Sequence, residues 1–216
     1  MTRRQPYNWI RPPGPLAPGM KIGLLGGSFN PAHEGHLHIS LMAKKRLGLD
    51  YVWWLVAPQN PLKPSFGMAP LPRRLDFARG LAATDPRFVV MDIERSLGTR
   101  YTIDTLTKLK HRFSTVDFVW LMGSDSLESF HRWKRWRDIA RQVPIAVIAR
   151  PGSVLAGVNS RAAAWFAPTR VRDPRRLVHT PPPAIALIDG PRNPLSSTEI
   201  RRRCGQAELF VRVIPA

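Results

Sequence analysis

A doubly wound α/β domain, Rossmann-like with a parallel sheet covered by helices on both faces, is the fold class that this 216-residue sequence predicts. Three observations predict it. Apolar runs alternate with amphipathic helical runs from about Met20 onward, the apolar runs show no in-out alternation, and the first of them leads straight into a glycine pair. Strands that are apolar on both sides need cover on both sides, which is the condition of a parallel sheet flanked by helices.

Each element follows in order. Residues 1–19 carry Pro6, Pro12, Pro13, Pro15 and Pro18 with Gly14 and Gly19, a density of chain breakers that reads as an extended arm ahead of a single domain at 20–216. Ile22–Leu25 reads as a strand, about His36 to Leu47 as a helix and Tyr51–Ala57 as a strand, which together make a βαβ unit. The rhythm continues with a helix after Pro72, a strand at Phe88–Met91, a helix from about Thr102 to His111 and a strand at Val116–Leu121. A helix at about Trp136 to Gln142, a strand at Ile145–Ala149, a last strand at Ala184–Ile188 and a helix from near Ser197 complete it. Pro58–Pro72 and Arg150–Pro183 are Pro-rich and read as loops.

Composition bounds the function. With 44% hydrophobic and 22% charged residues the chain is a soluble, globular type, and its 33 Lys and Arg against 15 Asp and Glu give a formal charge of +18. Such a field attracts polyanions, whether nucleic acid, an anionic membrane or small phosphorylated substrates. No aromatic-basic RNA signature, zinc finger or recognition helix accompanies it, although Arg132, Arg135, Arg137 and Arg141 cluster; no nucleic-acid partner is expected. The lone Cys204 excludes an internal disulfide framework and suits a reducing cytoplasm. The longest apolar stretches fall far short of a bilayer span, so no membrane association is expected.

The chemistry concentrates where the first strand ends. Gly26-Gly27-Ser28 follows that strand directly, at the place where an open parallel sheet binds its ligands. Glycines let backbone amides approach an anion, and the N-terminus of the next helix directs partial positive charge at it. His33 and His36 stand at that helix start, where imidazoles can hydrogen-bond an oxyanion; the spacing of HEGH does not suit zinc. Near the C-terminus, Ser197 or Thr198 makes a good N-cap with Arg201 on the same helix face, a second anion site. Asp125 after a buried strand suits either a ribose hydroxyl or an Asx turn. Trp133 and Trp136 suit either core packing or, if exposed, a flat surface for an electron-poor ring.

The run Gly26-Gly27-Ser28-Phe29-Asn30-Pro31-Ala32-His33-Glu34-Gly35-His36 resembles the G-G-(T/S)-F-(D/N)-P-x-H-x-G-H signature of adenylyltransferases in the HIGH superfamily. Further segments resemble the bacterial nicotinate-nucleotide adenylyltransferases: Arg100–Leu106 with its Tyr101-Thr102, Leu121–Leu127 with Gly123 and Asp125, Trp133, and Leu195–Arg201. The likeness spans about Met20 to Arg203. It implies transfer of the adenylyl group of ATP to nicotinate mononucleotide, with Mg2+ carried on the triphosphate. By the same resemblance His33, His36, Lys63 and Arg201 carry the catalytic charge. Gly26, Gly27, Ser28, Phe29, Gly123, Asp125, Ser197 and Thr198 would meet ATP, and Asn60, Tyr101, Thr102, Trp133 and Arg150 the mononucleotide. Pantetheine-phosphate adenylyltransferase, which shares the first motif and the second phosphate site, and nicotinamide-mononucleotide adenylyltransferase stand as alternatives, a basic nucleic-acid-binding protein is the alternative of a different class, and a homo-oligomer is left open. Asn30 stands where the signature more often has Asp, and the ending Phe210–Ala216 departs from the family's usual basic helix.

Overall fold

The computed structural model describes residues 16–59, 67–150 and 154–190, together with Ser197 and Ile200. Six strands form one sheet: β1 (Lys21–Gly27), β2 (Tyr51–Val56), β3 (Phe88–Met91), β4 (Asp117–Gly123), β5 (Ile145–Ile148) and β6 (Ile185–Ile188). Their spatial order is β3-β2-β1-β4-β5-β6, and every pairing is parallel. The sequence therefore reverses direction between β1 and β4, and the crevice beyond the C-terminal ends of these two strands is where such a sheet receives a ligand.

The strands are buried on both sides because helices cover both. Ile22, Leu24, Trp53, Leu55, Trp120 and Met122 face one core half, completed by Ile93 of α3 (Ile93–Leu97), Ile103 and Leu106 of α4 (Thr102–Arg112), Leu127 of α5 (Ser124–Ser129), Ile139 of α6 (Trp136–Gln142) and Phe166 of α8 (Arg161–Phe166). Leu25, Val52, Trp54, Val119 and Leu121 face the other half. There they meet Ile39 and Ala43 of α1 (Glu34–Leu47), Leu75 and Ala78 of α2 (Leu71–Ala82), and Leu177 of the tight 3-10 turn Pro174–His179.

Local sequence fixes the ends of α1. Glu34 occupies its first turn and Lys44, Lys45 and Arg46 its last, each sign matched to the helix dipole. Gly48 closes it at φ 64°, a left-handed residue whose N–H donates to the Lys44 carbonyl.

The strands and long helices lie within a residue or two of their sequence assignments, with three corrections. The segment Arg150–Pro183 is not one loop: it contains α7 (Val154–Val158), α8 and two 3-10 turns. Ser160 caps α8 by accepting from the Ala163 N–H at 3.2 Å, and Ala162-Ala163-Ala164 are strong helix formers; the helices are too short for a 3.6-residue period to show. Helices α3 and α5 were likewise not expected. Finally, α1 begins at Glu34, two residues before the expected start, with His33 just outside it as the N-cap. The arm at 1–15, Cys204 and the C-terminal ending lie outside the described residues.

Candidate active site

The phosphate loop leaves β1 over an indole. A methyl group at Gly26 would lie 2.6 Å from the tip of Trp120 in neighbouring β4, so glycine is required there by strand packing as well as by access to a ligand. Trp120 in turn meets Trp133 edge to face at 6.0 Å. The loop then passes through Phe29, a non-glycine residue in the left-handed region at φ 47°, and the Asn30–Pro31 peptide is cis. Phe29 is buried, stacked on Trp54 at 5.3 Å and beside His36 at 4.6 Å.

Asn30 uses both ends of its amide: Nδ2–H donates to the Gly67 carbonyl at 3.0 Å, and Oδ1 accepts from the Ala69 N–H at 3.1 Å. A carboxylate at this position can do only the second. This accounts for Asn at the position where the signature usually has Asp.

Two imidazoles close the start of α1 reciprocally. His33 Nδ1 accepts from the Gly35 N–H at 3.0 Å, and His36 Nδ1 accepts from the His33 N–H at 3.2 Å. A neutral imidazole that accepts at Nδ1 carries its proton on Nε2, so capping gives both rings the same tautomer and makes each Nε2–H a donor. Burial, then the charge of Arg150, push the His33 pKa down to about 3, so this ring is neutral near pH 7. The rings stand 4.0 Å apart between centroids, tilted by 50°. A pair of uncharged donors at a helix N-terminus suits an oxyanion without placing two imidazolium charges side by side.

The floor of the loop is held by a residue that sequence inspection passed over. Arg74 of α2 is almost wholly buried, at 1% exposure, and donates only to backbone carbonyls: Ser28 at 2.6 Å, Ala57 and Pro58 at 2.8 Å each, and Ala69 at 2.9 Å. It ties the phosphate loop to the chain leaving β2. Its signal was present, since Arg74 shares the apolar stripe of α2 with Leu75, Ala78 and Ala82. An arginine on that stripe is out of place unless buried carbonyls await it.

Across the crevice, β4 ends at Gly123 and α5 begins with Ser124 and Asp125. Asp125 pairs with Arg150 at 3.1 Å, and Ser124 Oγ accepts from the Arg150 N–H at 3.0 Å. The Arg150 side chain packs against Gly123, where an added methyl would meet its Cδ at 2.7 Å. Arg150, expected beside the mononucleotide, thus stands with Asp125 and within electrostatic reach of His33.

Tyr101 and Thr102 start α4, with Tyr101 as its extended N-cap. Trp133 is half-buried, packed edge-on by Phe130 at 5.3 Å as well as by Trp120, while Trp136 packs on Phe130 and Trp165. Both indoles are half-buried and pack against the core cluster. Of the basic cluster, Arg135 and Arg141 both pair with Asp138, and Arg137 lies over Trp136. At the second expected anion site, Ser197 is helical and donates from Oγ to the Pro31 carbonyl at 3.0 Å, which docks that segment on the phosphate loop. Asn60, Lys63, Thr198 and Arg201 lie outside the described residues. Among the described residues no group of three or more His, Cys, Asp or Glu side chains is arranged to hold a metal ion, and no helix is long and apolar enough to cross a membrane.

A six-stranded parallel sheet with a glycine-histidine loop at its point of reversal defines a Rossmann-like α/β protein, and the comparisons with known proteins narrow the class. A family model described as cytidylyltransferase-like matches residues 24–203. A probable nicotinate-nucleotide adenylyltransferase of Parvibaculum lavamentivorans is 54% identical over 192 residues, covering 88% of this chain and 95% of that one. Another, from Methylorubrum extorquens, is 53% identical over 186 residues, covering 85% of this chain and all of its own length. The solved Plasmodium falciparum nicotinic acid mononucleotide adenylyltransferase complexed with APC superposes with a TM-score of 0.63 at 15% identity, over 86% of this chain and 84% of that one, a likeness of fold. The chain belongs to the cytidylyltransferase-like family and, within it, to the nicotinate-nucleotide adenylyltransferases.

Proposed function

We propose that residues 20–216 act as one nucleotidyltransferase domain that joins the phosphate of nicotinate mononucleotide to the α-phosphorus of ATP. The products are nicotinate adenine dinucleotide and pyrophosphate, a step of NAD biosynthesis in the cytoplasm. The observation that carries this reading is the pair of imidazoles at the point where the sheet reverses, each accepting at Nδ1 and so directing Nε2 outward as a donor.

The attacking phosphate is already a nucleophile, so the protein needs no base and no covalent intermediate. Its work is alignment and neutralisation of charge as the bond to pyrophosphate breaks in line. His33 and His36 donate to oxygens of the triphosphate beside the amides of Gly27 and Ser28, with Gly26 and Phe29 shaping the loop. Asp125 and the amide after Gly123 hold the adenosine ribose, and Arg150 fixes the carboxylate of Asp125. Ser197, with Thr198, would serve the second anion site, and Arg201 and Lys63 would take charge developing on pyrophosphate. Trp133 offers its face to the pyridine ring, and Tyr101, Thr102 and Asn60 line the same pocket.

The carboxylate at the crevice is paired with Arg150, a donor set that fits a divalent ion arriving on the triphosphate better than one caged by protein. Magnesium bound in that way would contribute further charge neutralisation.

A pyrophosphate-release assay offering ATP with nicotinate mononucleotide, nicotinamide mononucleotide or phosphopantetheine tests the assignment. Preference for the nicotinate compound is the expected outcome, and preference for phosphopantetheine overturns it.

A further inference from the structure

Nicotinate and nicotinamide mononucleotides share a pyridinium ring, ribose and phosphate, and differ in one group: an ionised carboxylate against a neutral amide. A protein that separates them needs a positive charge where that group sits. Around Trp133 and Tyr101, the residues given to the ring above, one ammonium stands closest. Lys134 Nζ lies 4.0 Å from the centre of the Tyr101 ring, a cation-π contact, and Lys134 directly follows Trp133. It is exposed and makes no ion pair among the described residues.

The backbone around it is specialised. Phe130–Arg132 is a short 3-10 turn, Trp133 is extended, and the Trp136 N–H closes a turn on the Trp133 carbonyl at 3.1 Å. The third residue of that turn, Arg135, sits in the left-handed region at φ 53°, a place where glycine is the ordinary choice. A side chain is tolerated there against its backbone preference, roughly a 1 kcal/mol penalty. Arg135 also pairs with Asp138 at 2.9 Å on the surface. The turn carries Lys134, next after Trp133 in the chain, at its corner and over the Tyr101 ring. The Tyr101 face is thereby taken by the ammonium, which leaves the Trp133 face for the pyridine ring and makes Tyr101 a positioning residue.

We propose that Lys134 is the specificity-determining residue for the carboxylate of the nicotinate ring, held for that contact by the Tyr101 face and the left-handed turn at Arg135. The inference rests on Trp133 and Tyr101 being the ring site. A charge-assisted contact is worth about tenfold or more in affinity, and its loss falls on the acidic substrate alone.

The test compares kcat/KM for nicotinate and nicotinamide mononucleotides in the full-length enzyme. Lys134→Met lowers the ratio of the two values by about tenfold or more, through KM for the nicotinate compound, with nicotinamide turnover and KM for ATP within about threefold of the native enzyme. Lys134→Arg keeps most of the preference. Arg100, whose guanidinium lies 6.0 Å from the same ring, is the comparison: Arg100→Ala shifts the ratio less than Lys134→Met. The proposal is overturned by an unchanged ratio in Lys134→Met, by equal losses on both substrates, by a larger shift in Arg100→Ala, or by a native enzyme without preference. Trp133→Ala separates the two levels. It raises KM for both mononucleotides while KM for ATP holds; if both mononucleotide KM values hold as well, the ring site itself is misplaced.

Discussion

Replacing Arg74 by methionine removes a buried cation and four hydrogen bonds at once, and the loss follows from what remains behind. Methionine fills much of the same volume, so the cavity contribution is small. The carbonyls of Ser28, Ala57, Pro58 and Ala69 then lose a charged donor in a site with 1% exposure. A hydrogen bond to a charged group is worth about 1.5–3 kcal/mol, but the four are not additive because one guanidinium makes them all. Burying that cation also carries a desolvation penalty, which lowers the Arg74 pKa and which methionine relieves. The balance is a destabilisation of about 3–5 kcal/mol, because several buried carbonyls, each costing about 1–3 kcal/mol when left without a donor, lose theirs together. In urea unfolding followed by tryptophan fluorescence, the midpoint falls at an unchanged slope. The melting temperature falls by about 6–20 °C, given 2–4 °C per kcal/mol for a domain of this size. Arg74→Lys recovers little, since one ammonium cannot span four carbonyls around a planar fork. A loss under about 1 kcal/mol for Arg74→Met would refute the reasoning.

Three further outcomes follow. His36→Ala removes one neutral donor and one cap acceptor, lowering turnover more than about tenfold, a barrier increase above 1.4 kcal/mol, with about 1 kcal/mol lost in stability; near-normal steady-state turnover refutes the assigned role. Gly26→Ala forces its new methyl, 2.6 Å from the tip of Trp120, against a rigid indole. It is expected to lose about 1–3 kcal/mol in thermal unfolding and, because Trp120 abuts Trp133, to raise KM for the mononucleotide; a variant of native stability refutes the contact. Glu94, buried and bonded to Thr105, has its pKa raised to about 7 by burial. A raised folded pKa means stability that is full below the ordinary value of 4.5 and lost as pH rises through 7. Glu94→Gln is therefore more stable than the native chain at pH 8 by about 1–3 kcal/mol and shows a flatter pH profile, checked by urea titrations at pH 5 and pH 8.

The sheet was legible in the sequence because each strand is a short apolar run bounded by turn residues, and those runs coincide with β1 to β6 to within a residue or two. The phosphate loop was legible for a related reason: Gly26, His33 and His36 are informative residue types in a fixed order. What stayed hidden depends on contacts distant in sequence. Arg74 reaches 46 residues back to Ser28, and nothing local to α2 says that carbonyls wait there. Lys134 acquires meaning only when Tyr101, far back at the start of α4, is brought beneath it. The use of an amide at Asn30 shows only once the fold brings the Gly67 carbonyl within its reach.

Backbone conformation adds a clue that no residue type carries. Among the described residues, Phe29 and Arg135 are the non-glycine residues with positive φ. Such a conformation persists where the surroundings over-determine it, and binding and catalytic loops are where it concentrates. Phe29 lies in the loop assigned to ATP and is locked between Trp54 and His36. Arg135 lies in the turn that carries Trp133 and Lys134 and is locked by Asp138. Trp120 touches both loops, packing beneath Gly26 on one side and against Trp133 on the other. The strained positions therefore lie in the two loops proposed to meet the two substrates, and the indole of Trp120 packs between those loops.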